Sequence, residues 1–309
     1  MKREFSWSYQ RYKTFQHCKR AYYLSYYKAW NGWKNTEPEE TQKLYILKNI
    51  KSIKTIFHDI LISTLKNLII KNQLNIKKLN SLFLKEISIL LKEIKFNNHK
   101  QINKHLLIEE IIFKQQNSNT IYNNANDFIH SFSELIPYSS LWEKLKKMNI
   151  LNMNLLDNPI YFFNNCIKIW TQIDFLFRDK SVIKGININL TENYLSEHWN
   201  FQSGLNKLFI SQKFPLNSYS KIDIETHFIN NKSALGVNTC KNLKEIQDLI
   251  DKSIFQMLEI TELELNINIK NFPKNENIKD CKQCIYKYVC KAEKFPEESS
   301  IFKTLLPKK

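Results

Sequence analysis

The apolar residues of this chain change their period near residue 160, and that change restricts the fold more than any other feature of the sequence. From about 41 to 148 they recur every three to four positions, as in Leu44, Ile46, Leu47, Ile50, Ile53 and Ile56, and again in Leu82, Leu84, Ile87, Leu90 and Leu91. Such spacing lines one side of a helix. Several helices are therefore expected there, separated at the polar breaks 97–99 and 117–125. Upstream, Ser6 and Ser8 read as helix N-caps, followed by two short helices with a break near His17 and Cys18. Between 160 and 190 β-branched and aromatic residues take over, with "RDKS" (178–181) as the turn between two strands. Residues 199–214 return to helix. Strands follow at 221–230 and 233–237, a helix from about 241 to 260, and another strand at 262–269. The succession reads as one α/β domain with a large N-terminal helical section, and 309 residues are enough to bury its core.

Lys and Arg number 46 against 30 Asp and Glu, a formal net charge of +16. An excess of that sign favours polyanions, and nucleic-acid phosphates are the commonest. A plainer source competes: Lys, Asn and Ile abound while Gly occurs only four times, a skew that AT-rich coding imposes. The only arginines are Arg3, Arg11, Arg20 and Arg178, which argues against a surface that reads bases by bidentate contacts. The most apolar stretch, 56–70, is broken by His58, Asp59, Ser63, Thr64 and Lys66, so no membrane segment is expected. The opening residues lack the apolar run of a signal peptide. A cytoplasmic location follows as the expectation, with cysteines free or metal-bound rather than paired.

"DCKQCIYKYVC" (280–290) places Cys281, Cys284 and Cys290 in C-x2-C-x5-C spacing. Three close thiols suit a zinc site or an iron-sulfur cluster, and either needs a fourth ligand. Cys166 and Cys240 lie in or beside predicted strands and read as small core residues. Cys18, beside His17 in a polar setting, is the better candidate.

The opening "FSWSYQRYKTFQHCKRAYYLSYY" (5–27), taken with the cysteine spacing, resembles the iron-sulfur members of the RecB-like PD-(D/E)XK nucleases, of the AddB and CRISPR-associated exonuclease type. That resemblance implies a restriction-endonuclease-like core, a mixed central sheet flanked by helices, over 160–270. It makes 41–148 a helical insertion and has 271–309 pack with 5–30. It implies that Cys18, Cys281, Cys284 and Cys290 hold a [4Fe-4S] cluster, zinc being the alternative.

By the same resemblance His58 and Asp174 match metal-binding positions for Mg or Mn, and Gln202 opens the following helix motif. The chain departs from the pattern at Lys19, Lys54 and Asn206, where Pro, Gly and Tyr are usual. Gly185 and Asn187 stand where the second carboxylate and the lysine belong, with Lys207 the candidate substitute lysine. The implied function is a DNA-binding protein with lost or weakened deoxyribonuclease activity. The alternatives are an active nuclease with relocated residues and a non-catalytic interaction protein. DNA, single-stranded or at ends, is the implied partner, and a helicase a further one. The aromatics Trp7, Tyr9, Tyr12, Phe15, Tyr22, Tyr23, Tyr26 and Tyr27 read as core packing for the larger part and as base-stacking platforms for the rest.

Overall fold

The computed structural model describes residues 4–96, 108–112, 116–148, 160–190, 197–214, 221–229, 234–238, 242–262 and 267–290. In chain order these form β1 (Ser6–Ser8), α1 (Tyr9–His17), α2 (Lys19–Tyr23), α3 (Glu39–Lys48), α4 (Ile53–Ile70), α5 (Ile76–Phe96), α6 (Glu109–Ile112), α7 (Ser118–Leu135) and α8 (Ser140–Lys147). Then come β2 (Ile160–Asn164), β3 (Ile167–Thr171), β4 (Phe175–Asp179), β5 (Val182–Asn189) and α9 (Glu197–Lys213). The chain continues through β6 (Lys221–Ile229), β7 (Ala234–Asn238), α10 (Leu243–Glu262), α11 (Ile278–Gln283) and α12 (Lys287–Cys290). The fold is α/β, with mixed sheets, flanking helices and a helical N-terminal region. Among the described residues no helix is long and apolar enough to cross a membrane.

The chain divides into two compact units, the first comprising Met1–Tyr9, Phe57–Glu86 and Asn123–Phe255. It holds a three-stranded sheet, β1-β3-β2, and a four-stranded sheet, β4-β5-β6-β7. The β2–β3 hairpin reverses at Asn165 and Cys166, whose φ values of 45° and 65° both lie in the left-handed region. Two successive positive φ angles match the right-handed twist of the flanking strands. β5 and β6 run parallel, so the chain must cross over between them, and α9 is that crossover, packed on β6, β2 and β3.

Ser6 and Ser8 belong to β1, which ends directly before α1, pairs in parallel with β3 and aligns Trp7 with Ile169. Trp7 is fully buried, donates its indole N–H to Ser253 Oγ at 2.8 Å and approaches Phe201, on whose ring Tyr9 stacks at 4.6 Å. Beside the sheets, Leu61, Leu65, Leu68, Leu79, Phe83, Ala125, Ile129 and Phe132 are buried at helical spacing. The rings of Phe57, Phe83 and Phe128 meet among them.

The second unit comprises Gln10–Ile56, Ile87–Tyr122 and Gln256–Lys309. The expected break at Cys18 is present. Cys18 is extended, with φ −158° and ψ 110°, and its Sγ accepts the Ala21 N–H, so the thiol caps α2. The aromatics that follow are mostly packed: Tyr22 is fully buried against Phe15, Tyr26, Tyr27 and Phe272, and its hydroxyl accepts from Arg11. Leu24, Ala29, Leu44, Leu47 and Tyr286 form the adjoining apolar cluster. Of the strand expected at 262–269, residues 263–266 lie outside the described residues, and Ile269–Asn271 is a 3-10 turn. Cys240 also lies outside them, whereas Cys166 is an exposed turn residue and not part of the core.

Candidate functional site

Two side chains of the first unit clasp a single residue of β5. Asp174, buried at the junction of β3 and β4, accepts the Ile188 N–H on Oδ2 at 2.7 Å. His58, on α4, has Nε2 2.9 Å from the Ile188 carbonyl oxygen. A carbonyl only accepts, so Nε2 carries the proton. The same nitrogen lies 3.7 Å from Asp174 Oδ2, and Nδ1 lies 3.7 Å from Asp59 Oδ1. Burial draws the imidazole pKa down, but the two carboxylates and the Ile188 carbonyl outweigh it and lift it to about 10. His58 is therefore a cation at neutral pH.

Around this clasp runs a chain of neutral polar groups. Gln202 donates through Nε2 to Thr171 Oγ1 at 2.8 Å and to Asn206 Oδ1 at 3.1 Å. Thr171 donates to the same Asn206 oxygen at 2.6 Å, and Asn206 Nδ2 donates onward to Asn187 Oδ1 at 3.4 Å. Asn206 of α9 thus reaches β5 by a hydrogen bond. Asn187 is paired with Thr226 across the β5–β6 ladder, and Asn187 Nδ2 and Thr226 Oγ1 are both buried with no hydrogen-bond partner among the described residues.

The strand register changes which β5 residues stand level with Asp174. Phe175 faces Ile186, so continuing the antiparallel pairing by one residue brings Asp174 to Asn187. Gly185 sits lower, in hydrocarbon: a Cβ there would meet Ile224 Cδ1 at 2.6 Å, with Ile173 and Ile210 next. A carboxylate at that position would be buried without a partner, which is costly.

Glu225 and His227, two residues apart on β6, form a second charged group that the sequence reading missed. Glu225 Oε2 accepts from His227 Nε2 at 3.0 Å and pairs with Lys144 of α8. The His227 hydrogen bond, against the opposing effect of burial and with help from Lys144, holds the Glu225 carboxyl down at about 2. Gly236 lies opposite His227, and a Cβ there would come within 2.8 Å of the ring. The available signal was the pair itself, since residues i and i+2 of a strand share a side.

Cys18, Cys281, Cys284 and Cys290 all belong to the second unit, and Cys18, Cys284 and Cys290 pack against its apolar cluster. Their sulfurs meet backbone groups. Cys18 Sγ accepts from Ala21 N and Cys284 Sγ from Tyr286 N, each at 3.4 Å, and Cys281 Sγ donates to Asn275 O at 3.6 Å. Burial pushes the Cys284 and Cys290 thiols up, and neighbouring thiols add to the shift. Among the described residues no group of three or more His, Cys, Asp and Glu is arranged to hold a metal ion.

The expected [4Fe-4S] cluster on Cys18, Cys281, Cys284 and Cys290, and its zinc alternative, are corrected accordingly. The Mg or Mn expected at His58 and Asp174 is corrected too: the described residues hold no group of three or more His, Cys, Asp and Glu there that could bind a metal ion, and both side chains are engaged with Ile188. One consequence is measurable. Iodoacetamide at neutral pH is expected to modify exposed Cys166 well before Cys284 and Cys290, as read by peptide mass spectrometry. Equal labelling at Cys284 would contradict the desolvated setting described for it.

No family model and no curated protein matches this chain. One solved structure, described as "Crystal structure of SSO0001", is similar at a TM-score of 0.29 and 14% identity, covering 68% of this chain and 86% of that one. A likeness that weak assigns no family. With no metal-holding group among the described residues, the membership suggested by the opening residues, that of the iron-sulfur RecB-like PD-(D/E)XK nucleases, is withdrawn, and with it the nuclease-derived function. What remains is an α/β protein with mixed sheets and a buried polar clasp on β5.

Proposed function

We propose that this protein binds DNA, single-stranded or at duplex ends, and leaves the phosphodiester bonds intact. The observation that carries the reading is the charge excess of +16, spread over the whole chain and carried almost entirely by lysines. In the first unit Lys77, Lys78, Lys85, Lys146, Lys147, Lys180 and Lys221 are all exposed. Flexible lysines neutralise phosphates without reading sequence, so the expected binding is strong in salt dependence and weak in base preference. The clasp supports the second half of the proposal. Asp174 and His58 are both committed to Ile188, and Asn187 and Asn189, the β5 residues on either side of it, are neutral. Phosphodiester hydrolysis by metal ions asks for anionic ligands to assemble them, and this donor set is poor in them.

Fluorescence anisotropy with a labelled oligothymidylate and a duplex carrying an overhang tests the reading. Affinity is expected to fall by an order of magnitude or more between about 50 and 200 mM salt. Absence of binding at the lower salt concentration would overturn it. Incubation of the same probes with Mg²⁺ or Mn²⁺ is expected to return them uncut, and cutting that is lost in Asp174→Asn would overturn the second half.

A further inference from the structure

We infer that the solvent-facing side of the β1-β3-β2 sheet is a stacking surface for unpaired DNA bases; this rests on the DNA-binding reading above and locates it. Along β2 the side chains alternate: Ile160 and Phe162 point inward and are buried, while Tyr161 and Phe163 point outward, 42% and 52% exposed. The β2–β3 register sets Tyr161 against Trp170 and Phe163 against Lys168. Three rings and one lysine thus share the outer face, with Ser6 and Ser8 of β1 aligned to Lys168 and Trp170.

An antiparallel hairpin with one side in water normally carries polar residues on that side. Here the outer positions carry rings, and contiguous exposed apolar surface of this kind marks a binding site. The rings meet edge to face, Tyr161 to Phe163 at 5.6 Å and Tyr161 to Trp170 at 5.2 Å, and are not stacked face to face on one another. Lys168 Nζ lies 4.6 Å from the Tyr161 centroid and 5.5 Å from that of Trp170. The hairpin is held in place by Gln212 Nε2 donating to the Phe163 carbonyl at 2.9 Å and by Asn164 Nδ2 donating to Asp251 at 2.7 Å.

Charge complementarity chooses the occupant. From Ile160 to Trp170 the hairpin contains a lysine and no acidic residue, in a chain of net charge +16. A ligand that offers flat π-faces and a phosphate within reach of a lysine is a single strand, whose bases are free to stack, whereas duplex bases are already stacked on one another. Sheets that present two or three outward aromatics take two or three bases, which sets the expected size of this site.

The test compares wild type with Tyr161→Ala/Phe163→Ala and with Lys168→Glu, using the full chain, a labelled oligothymidylate and a blunt duplex at one ionic strength. All three positions are on the surface, and circular dichroism with thermal melting checks that the variants fold. The double variant is expected to lose about tenfold or more in oligothymidylate affinity with duplex affinity held within about twofold. Lys168→Glu is expected to weaken oligothymidylate binding as well. Unchanged oligothymidylate affinity in the double variant would overturn this inference and leave the DNA-binding reading standing. Failure of the wild type to bind any DNA removes both. Tighter ring-dependent binding of oligouridylate would overturn the choice of DNA. A change in oligomeric state by sedimentation, without a change in DNA affinity, would reassign the surface to a second copy of the chain and overturn the inference.

Discussion

Replacing Asp174 with alanine is expected to cost about 3–5 kcal/mol of stability, because it leaves a buried cation and a buried N–H without their acceptor. The carboxylate does two things through one oxygen: it takes the Ile188 N–H at 2.7 Å and faces the His58 imidazolium at 3.7 Å. The Asp174 side chain is 5% exposed and that of His58 is 19% exposed, so water can replace little of what is lost. Urea unfolding of the single variants and of Asp174→Ala/His58→Ala checks the account. The double variant is expected to be less destabilised than the sum of the singles, because the second substitution removes the charge that the first left stranded. Strict additivity would show that the two residues act separately. The same experiment carries a spectroscopic sign: in Asp174→Ala the His58 pKa, followed by NMR, drops from about 10.

The second large effect is on the pH dependence of stability, and its two limbs come from different elements, helix α4 and strand β6. His58 binds its proton more tightly folded than unfolded, with a pKa of about 10 against the usual 6.5. Its contribution is complete below about pH 6.5 and is lost as pH rises through about 10. Glu225 is shifted the other way, to about 2 from 4.5, so its contribution is present above about pH 4.5 and is lost as pH falls toward 2. These two groups therefore give a plateau between about 4.5 and 6.5, with slopes of at most about 1.4 kcal/mol per pH unit on either side. His58→Gln, which keeps a donor for the Ile188 carbonyl, is expected to flatten the alkaline limb, and Glu225→Gln the acid limb. An alkaline limb that survives in His58→Gln would locate its origin elsewhere.

Much of the architecture was legible because it rests on period. The helical spacing over 41–148 became α3, α4, α5, α7 and α8 among the described residues, and the β-branched run after 160 became strands. Helix α9 was legible too, but its role as the crossover between parallel β5 and β6 shows only in the ladder. The misses have physical causes. β1 is three residues long and exists only because β3 pairs with it, which no local propensity reports. The reversal at Asn165 and Cys166 uses no glycine, so a cysteine that looked like core turned out to hold a strained turn. At the clasp the sequence offered Asp174, His58 and Gln202 as site positions, but it could not show that Asp174 and His58 both meet the backbone of Ile188, because that depends on how the strands pair. The cysteines misled most. Their spacing is that of a metal site, whereas the folded chain uses Cys18 as a helix cap and packs Cys284, partly buried, against carbon.

The pairing of β1 has a consequence in time. Trp7 ends beneath the sheet bonded to Ser253, 246 residues further along the chain. At a synthesis rate of about 5–20 residues per second, that partner leaves the ribosome on the order of ten to fifty seconds after Trp7 does. β3, the partner strand of β1, leaves the ribosome earlier, so the strands are free to pair while the Trp7 indole still waits for its Ser253 acceptor.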